Sequence, residues 1–222
     1  MFCVQNPRGG VIAGDGRNME EIMSRKLISL GCLSAFAAVL VLVTGIVTKD
    51  FFLGFDRFNP AGTVEMIERH LQEGRTNLPA DRVSSVARTL YEEARFYGID
   101  YRLALAIMAV ESNFRNDAVS SAGAHGIMQI MPILAASVAG KAGIPYREAT
   151  DLFDPENNVR FALYYLSWLS TNFKNLNEIL LAYNVGHNRA RRLLSKTGDA
   201  DTRYTRRVIG EYQRNMMNLP EI

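Results

Sequence analysis

Two hydrophobic patterns divide the chain. Residues 27–47 form an apolar run without a charged side chain, and from about residue 63 onward apolar residues recur at helical spacing. At a 1.5 Å rise per residue, the 21 positions of the run match the roughly 30 Å hydrocarbon core of a bilayer. No polar stripe marks a solvent side, so the run predicts one N-terminal transmembrane helix rather than a core helix. Arg25 and Lys26 precede it, which orients residues 1–26 as a short cytoplasmic tail and exports the rest. The competing expectation is a signal peptide cut near Val43-Thr44-Gly45, giving an exported soluble protein. A true start at Met19 or Met23 suits either. Cys32 precedes most of the apolar run, the wrong side for a lipidated cysteine.

Residues 48–80 read as a juxtamembrane linker. It holds Phe51, Phe52, Phe55 and Phe58, then a short helix over 63–73 carried by Val64, Ile67 and Leu71, then a break up to Pro79. A main domain is expected over 81–217, with a tail at 218–222. Asp81 is expected to cap a helix bearing Val83, Val86, Ala87, Leu90 and Ala94 and ending at Gly98. Asp100 caps the next, through Leu103, Ile107, Met108 and Val110. Residues 113–125 read as loop, and 126–139 are apolar with Pro132 tolerable at a helix start or kink. Turn residues fill 140–154, and Pro155 opens a long helix. Further helices are expected over 178–184, 188–195 and 205–217. No alternating β-branched run is long enough for a sheet, so the domain is mainly α with a small irregular loop region.

Composition narrows the chemistry. Of 222 residues 48% are hydrophobic, enough for a packed core, and the net charge of +2 is too small to argue for nucleic acid. Cys3 and Cys32 both lie in the N-terminal third, which excludes a disulfide framework or a cysteine metal site in the main domain. His70, His125 and His187 lack the HxxxH spacing of zinc hydrolases.

Glu111 is the chemical focus. Ala104, Ile107 and Met108 precede it by seven, four and three residues on one helix face. A carboxyl group in such surroundings loses solvation, and its pKa rises. That suits a general acid working near neutral pH. The competing arrangement is a solvated ion pair with Arg115 at i+4. Ser112 follows directly and can help orient the acid. Gly123 and Gly126 bracket a loop that can bring backbone amides close to a ligand. Gln129 is an amide in an apolar run, which favours a cleft or a hydrogen-bonded partner. Tyr183 and Asn184 add a phenol and another amide before Gly186.

The order Glu-Ser, Gly-Ile-Met-Gln, Ala-Tyr-Asn is more specific than its parts. ESNFRNDAVSSAGAHGIMQIMP resembles the ES-x-F … GA-x-G-[LI]-MQ-[IL]-MP block of the family 1 lytic transglycosylases. LFDPENNVRFALYYL and LAYNVGHNRARRL are similar to that family's middle-helix and AYN-x-G blocks, and DTRYTRRVIGEY to its closing T-R-x-Y-V segment, shortened by about one residue. The resemblance covers residues 81–217. It implies a lysozyme-like helical fold, with Glu111 as the single catalytic acid/base. It also implies cleft roles for Ser112, Met128, Gln129, Tyr183, Asn184 and, on the shortened segment, Tyr204. The implied substrate is the peptidoglycan glycan strand, cut at the β-1,4 link between N-acetylmuramic acid and N-acetylglucosamine to leave 1,6-anhydromuramoyl ends. Leu134, Val185 and the pair His187-Asn188 depart from the family's usual residues.

A single carboxylate fits that outcome. Ordinary glycosidases use two, and Asp117, the other candidate, lies in open polar sequence. The substrate's own 6-hydroxyl then supplies the nucleophile, with no metal or organic cofactor. A hydrolytic lysozyme and a non-catalytic peptidoglycan-binding or secretion-associated module are the alternatives. Expected partners are peptidoglycan strands, the inner membrane through residues 27–47, and cell-wall or secretion machinery. The domain would lie in the periplasm. The C-terminal arginines and lysine (Arg189, Arg191, Arg192, Lys196, Arg203, Arg206, Arg207, Arg214) suit an anionic polymer or a solvated helix face. Without interleaved aromatics they give no nucleic-acid reading.

Overall fold

The computed structural model describes residues 60–221. The tail, the apolar run 27–47, both cysteines and the phenylalanine cluster lie outside the described residues. Eight α-helices are present among those described: α1 (Pro60–Glu73), α2 (Ala80–Tyr97), α3 (Tyr101–Ser112), α4 (Pro132–Ala142), α5 (Pro155–Asn172), α6 (Leu176–Val185), α7 (His187–Thr197) and α8 (Arg203–Asn218). A 3₁₀ turn, Ala149–Phe153, precedes α5. No described helix is long and apolar enough to cross a membrane.

The organising element is α3. Every residue from 101 to 108 is buried, as expected of a helix surrounded on all sides by others. Asp100 caps it, accepting from the Arg102 N–H at 2.9 Å. α3 runs against α8, while α2 packs on α1 and on α5. The α3–α8 contact is pinned at its far end. Tyr212 Oη donates to Asp100 Oδ2 at 2.7 Å, and the buried Asn215 Nδ2 donates to the Arg102 carbonyl at 2.9 Å. Tyr101 Oη donates to the Pro220 carbonyl at 2.7 Å. Burial alone would raise the Asp100 pKa, but the Arg102 guanidinium and the Tyr212 hydroxyl hold it below the ordinary value.

Two expectations are corrected. The helix within the supposed linker is part of the packed body: Thr63, Ile67 and Leu71, at four-residue steps, are buried, the last two completely. Residues 60–80 are therefore not a free spacer. Asp81 does not cap α2. Pro79 does, with its carbonyl accepting from the Arg82 and Val83 N–H groups at 3.0 Å each. The fixed proline φ of −58° ends the extended segment two residues earlier, leaving Asp81 inside the first turn, where a negative charge complements the helix dipole.

Residues 113–131 form the irregular region. Asn113 and Phe114 both adopt left-handed backbone, φ 53° and 60°, and turn the chain out of α3. Isolated antiparallel bridges join Val119 to His125 and His125 to Ile130. Only from Pro132, at the start of α4, does the apolar run become helical.

Candidate active site

Glu111 lies half-buried in the last turn of α3, and Tyr204 in the first turn of α8. Tyr204 Oη donates to Glu111 Oε1 at 2.7 Å. Burial pushes the Glu111 carboxyl above its ordinary value, opposed by the Tyr204 hydrogen bond and by the charge of Arg207, one turn further along α8. Burial and the neighbouring Glu111 push the phenols of Tyr204 and Tyr183 well above the ordinary range, so both remain donors. The competing arrangement, an ion pair between Glu111 and Arg115, does not form. Arg115 instead grips Asp117 through Nε at 3.1 Å and Nη2 at 2.9 Å, in open solvent. That contact holds the Asp117 carboxyl below the usual range and makes it unsuited to be an acid.

A braced loop lies beside the acid. Ser112 Oγ donates to the Ile127 carbonyl at 2.7 Å, and Tyr183 Oη to the Met128 carbonyl at 2.9 Å. Gln129, at φ 53°, donates from Nε2 to the carbonyls of Gly126 at 2.8 Å and Ala118 at 3.0 Å. Beneath the loop sits Asn158 of α5, fully buried. Its Oδ1 accepts from the Met128 N–H at 2.8 Å, and its Nδ2 donates to the carbonyls of His125 at 2.9 Å and Leu152 at 3.0 Å. Gly126 needs its φ of +79°, and a Cβ there would stand 2.5 Å from both Asn158 Nδ2 and the Leu152 carbonyl oxygen.

The loop forms one side of a groove of about 780 Å³ whose lining includes Gln129, Met131, Ile133, Tyr183, Asn184 and Arg189. Glu111 and Tyr204 are not in its lining, but adjoin it through Tyr183, which feels the Glu111 charge. The expected site residues therefore separate. Glu111, Tyr204 and Tyr183 cluster at the acid, while Gln129, Tyr183 and Asn184 line the groove. Met128 is fully buried and Ser112 nearly so. Neither presents its side chain to a ligand, and Ser112 braces the loop without touching the acid's carboxyl group.

The profile of the transglycosylase SLT domain matches residues 89–205. The chain belongs to this family. Among similar proteins is a membrane-bound lytic murein transglycosylase C of Mannheimia succiniciproducens, 30% identical over 166 residues, which cover 71% of this chain and 45% of that one. Another so named, from Photorhabdus laumondii, is 34% identical over 146 residues, 60% of this chain and 38% of that one. The chain thus spans less than half the length of these relatives. An inactive mutant of the lytic transglycosylase Slt of Pseudomonas aeruginosa superposes with a TM-score of 0.52 at 30% identity, over 59% of this chain and 24% of its own. A complex of the 70-kDa soluble lytic transglycosylase with bulgecin A gives 0.54 at 23% identity, over 74% and 31%, a likeness of fold alone. The SLT domain here has the mainly helical, lysozyme-like fold of its family.

Sequence reasoning missed Asn158. Its signal was present: it shares the apolar face of Phe161, Ala162 and Tyr165, three, four and seven residues on, where an amide needs a partner just as Gln129 does. Arg207 stood out only as one cation among several, because nothing in the sequence sets it near Glu111.

Proposed function

We propose that the protein is a peptidoglycan lytic transglycosylase whose SLT domain works in the periplasm, tethered by residues 27–47. The observation carrying this reading is the half-buried Glu111, raised in pKa and bonded to a phenol rather than to a second carboxylate. The names of the relatives, membrane-bound lytic murein transglycosylases, support both the chemistry and the tether.

Tyr204 occupies Oε1, which leaves Oε2 to carry the proton. Glu111 donates that proton to the leaving glycosidic oxygen while the 2-acetamido oxygen of the muramyl sugar stabilises the cationic carbon. The carboxylate so formed, steadied by Tyr204 and the Arg207 charge, takes the proton of the 6-hydroxyl as this attacks and closes the anhydro ring. Nucleophile and electrophile belong to one sugar, so proximity lowers the barrier. Gln129, Tyr183 and Asn184 line the approach and bind the strand.

Mass analysis of muropeptides released from purified sacculi tests the reading. Anhydromuramoyl ends are expected. Reducing ends would replace it with hydrolysis, and no release would leave a binding module. Intact mass of the membrane-fraction protein tests the tether: a chain beginning near Ile46 would overturn it.

Tyr204→Phe removes an influence that lowers the Glu111 pKa. The protonated acid then persists to higher pH, so the alkaline limb of kcat/KM moves upward while its maximum falls about tenfold, the scale of one hydrogen bond to a charged group. A pH profile superimposable on wild type would show that the hydroxyl does not act on the acid.

A further inference from the structure

Among the described residues, large apolar side chains stand exposed in two places. Val119, Met131 and Ile133 belong to the loop and the helix start that border the groove. Phe96, 78% exposed, Met216, 42%, and Met217, 76%, lie at the opposite end of α3. Hydrogen bonds locate that end. Phe96 is in the last turn of α2, four residues before Asp100, the cap of α3. Tyr212 reaches Asp100 and Asn215 reaches the Arg102 carbonyl, which sets Met216 and Met217 of α8 beside the start of α3. Glu111 lies in the last turn of α3, about 15 Å further along its axis. Phe96 is a firm projection: its ring meets Tyr97 edge-on at 4.8 Å, and Tyr97 meets Tyr164 of α5 at 6.1 Å.

The chain enters the domain at this end too. α1 packs on α2 and is joined to it by residues 74–79, a connection short enough to make the two antiparallel neighbours. Pro60, at the start of α1, therefore lies towards the end of α2 that carries Phe96. Only residues 48–59 separate Pro60 from the apolar run 27–47. A link of that length spans about 40 Å at full stretch, so this end stays within reach of a membrane holding the run. A short tether also keeps the effective concentration high, so a contact made by a few apolar side chains is populated.

We propose that this end of the domain rests on the lipid surface, with Phe96 and Met217 inserted at the headgroup boundary, so that the Glu111 end points away from the bilayer. This rests on the tether of the proposed function, residues 27–47 held in the membrane. An aromatic ring suits that boundary, and the flexible thioether side chain of methionine adapts to an irregular surface. Burying these side chains among lipids removes apolar surface from water that the fold itself leaves uncovered.

The test uses the full chain in vesicles of phosphatidylethanolamine and phosphatidylglycerol, with Cys3→Ser and Cys32→Ser and one new cysteine carrying an environment-sensitive fluorophore. The labelled variants are Phe96→Cys, Met217→Cys and, at the groove, Ile133→Cys, whose side chain is 77% exposed. All three positions are exposed, so the labelled chains keep the fold. Labels at 96 and 217 are expected to emit at shorter wavelength and to lose most of their emission to nitroxide lipids, while the label at 133 keeps its own. Phe96→Asp should release the label at 217 from the nitroxide. Equal quenching at 96 and 133, or none at 96 and 217, in a chain that floats with the vesicles overturns this inference alone. A label at 96 that shifts without lipid quenching gives the surface to another protein molecule and overturns it as well. A chain that does not float with the vesicles overturns the tether and the inference with it, and leaves the transglycosylase chemistry to its muropeptide test.

Discussion

Glu111→Gln is expected to lower strand cleavage at least about a thousandfold while strand binding persists, since general acid and base steps each contribute about 10²–10⁴-fold. Glutamine keeps the shape and still accepts from Tyr204, but it can neither give nor take the proton. Turnover on sacculi and co-sedimentation with them separate the two quantities, and retained cleavage would remove Glu111 from the mechanism. The same variant makes a second, independent statement about stability. The folded-state pKa of Glu111 lies above its ordinary 4.5, so the native fold holds this proton more tightly than the unfolded chain. That favourable contribution is complete below the ordinary value and is lost as pH rises through the raised one. Glutamine carries no charge at any pH. Melting temperatures should therefore favour Glu111→Gln at neutral pH, with the advantage shrinking in acid. An advantage that grew on acidification would contradict the burial of the carboxyl.

Asn158→Ala is expected to be the most damaging change away from the acid itself. It leaves the Met128 N–H and the Leu152 carbonyl without their side-chain partner, while the His125 carbonyl keeps its bond from the Ile130 N–H at 2.9 Å. Two orphaned buried groups and a small void cost about 3–5 kcal/mol, a fall in melting temperature on the order of 10 °C for a domain of this size. The loop it braces carries Gln129 and the carbonyl that receives Tyr183. Cleavage measured well below the new melting point should fall as well, by roughly tenfold, the scale of a misplaced positioning group. Asn158→Asp keeps the acceptor for Met128 N–H, yet buries a carboxylate against two carbonyl oxygens, and should be no better. A variant that melts as wild type would show that the loop holds its shape without this amide.

Much of the helical framework was legible because its signals are local. Asp100, Gly98 and Pro155 mark helix ends through capping and fixed dihedrals that depend on a few neighbouring residues. Glu111 stood out for the same reason, as an acid among apolar residues one turn apart. The error at Asp81 was also local in kind: two residues two positions apart competed for one cap, and the proline's rigidity decided it. Residues 60–80 misled because an amphipathic helix looks alike whether it crosses a linker or seals a core, and only the partner surface on α2 distinguishes them.

The sequence by itself determined an α-helical domain, the acid, and the blocks from which a groove would be made. Tertiary structure decided what those blocks do. Tyr204, 93 positions from Glu111, reaches it because α8 packs along α3. Met128 and Ser112 turn inward and serve as supports, whereas Gln129 and Asn184 turn to the groove. Asn158 becomes the hub of a loop 30 residues away. The physical reason is the same in each case. Helix periodicity and caps are set by residues within a turn of one another, but burial, pKa and hydrogen-bond partners are set by whichever distant segment the chain folds against.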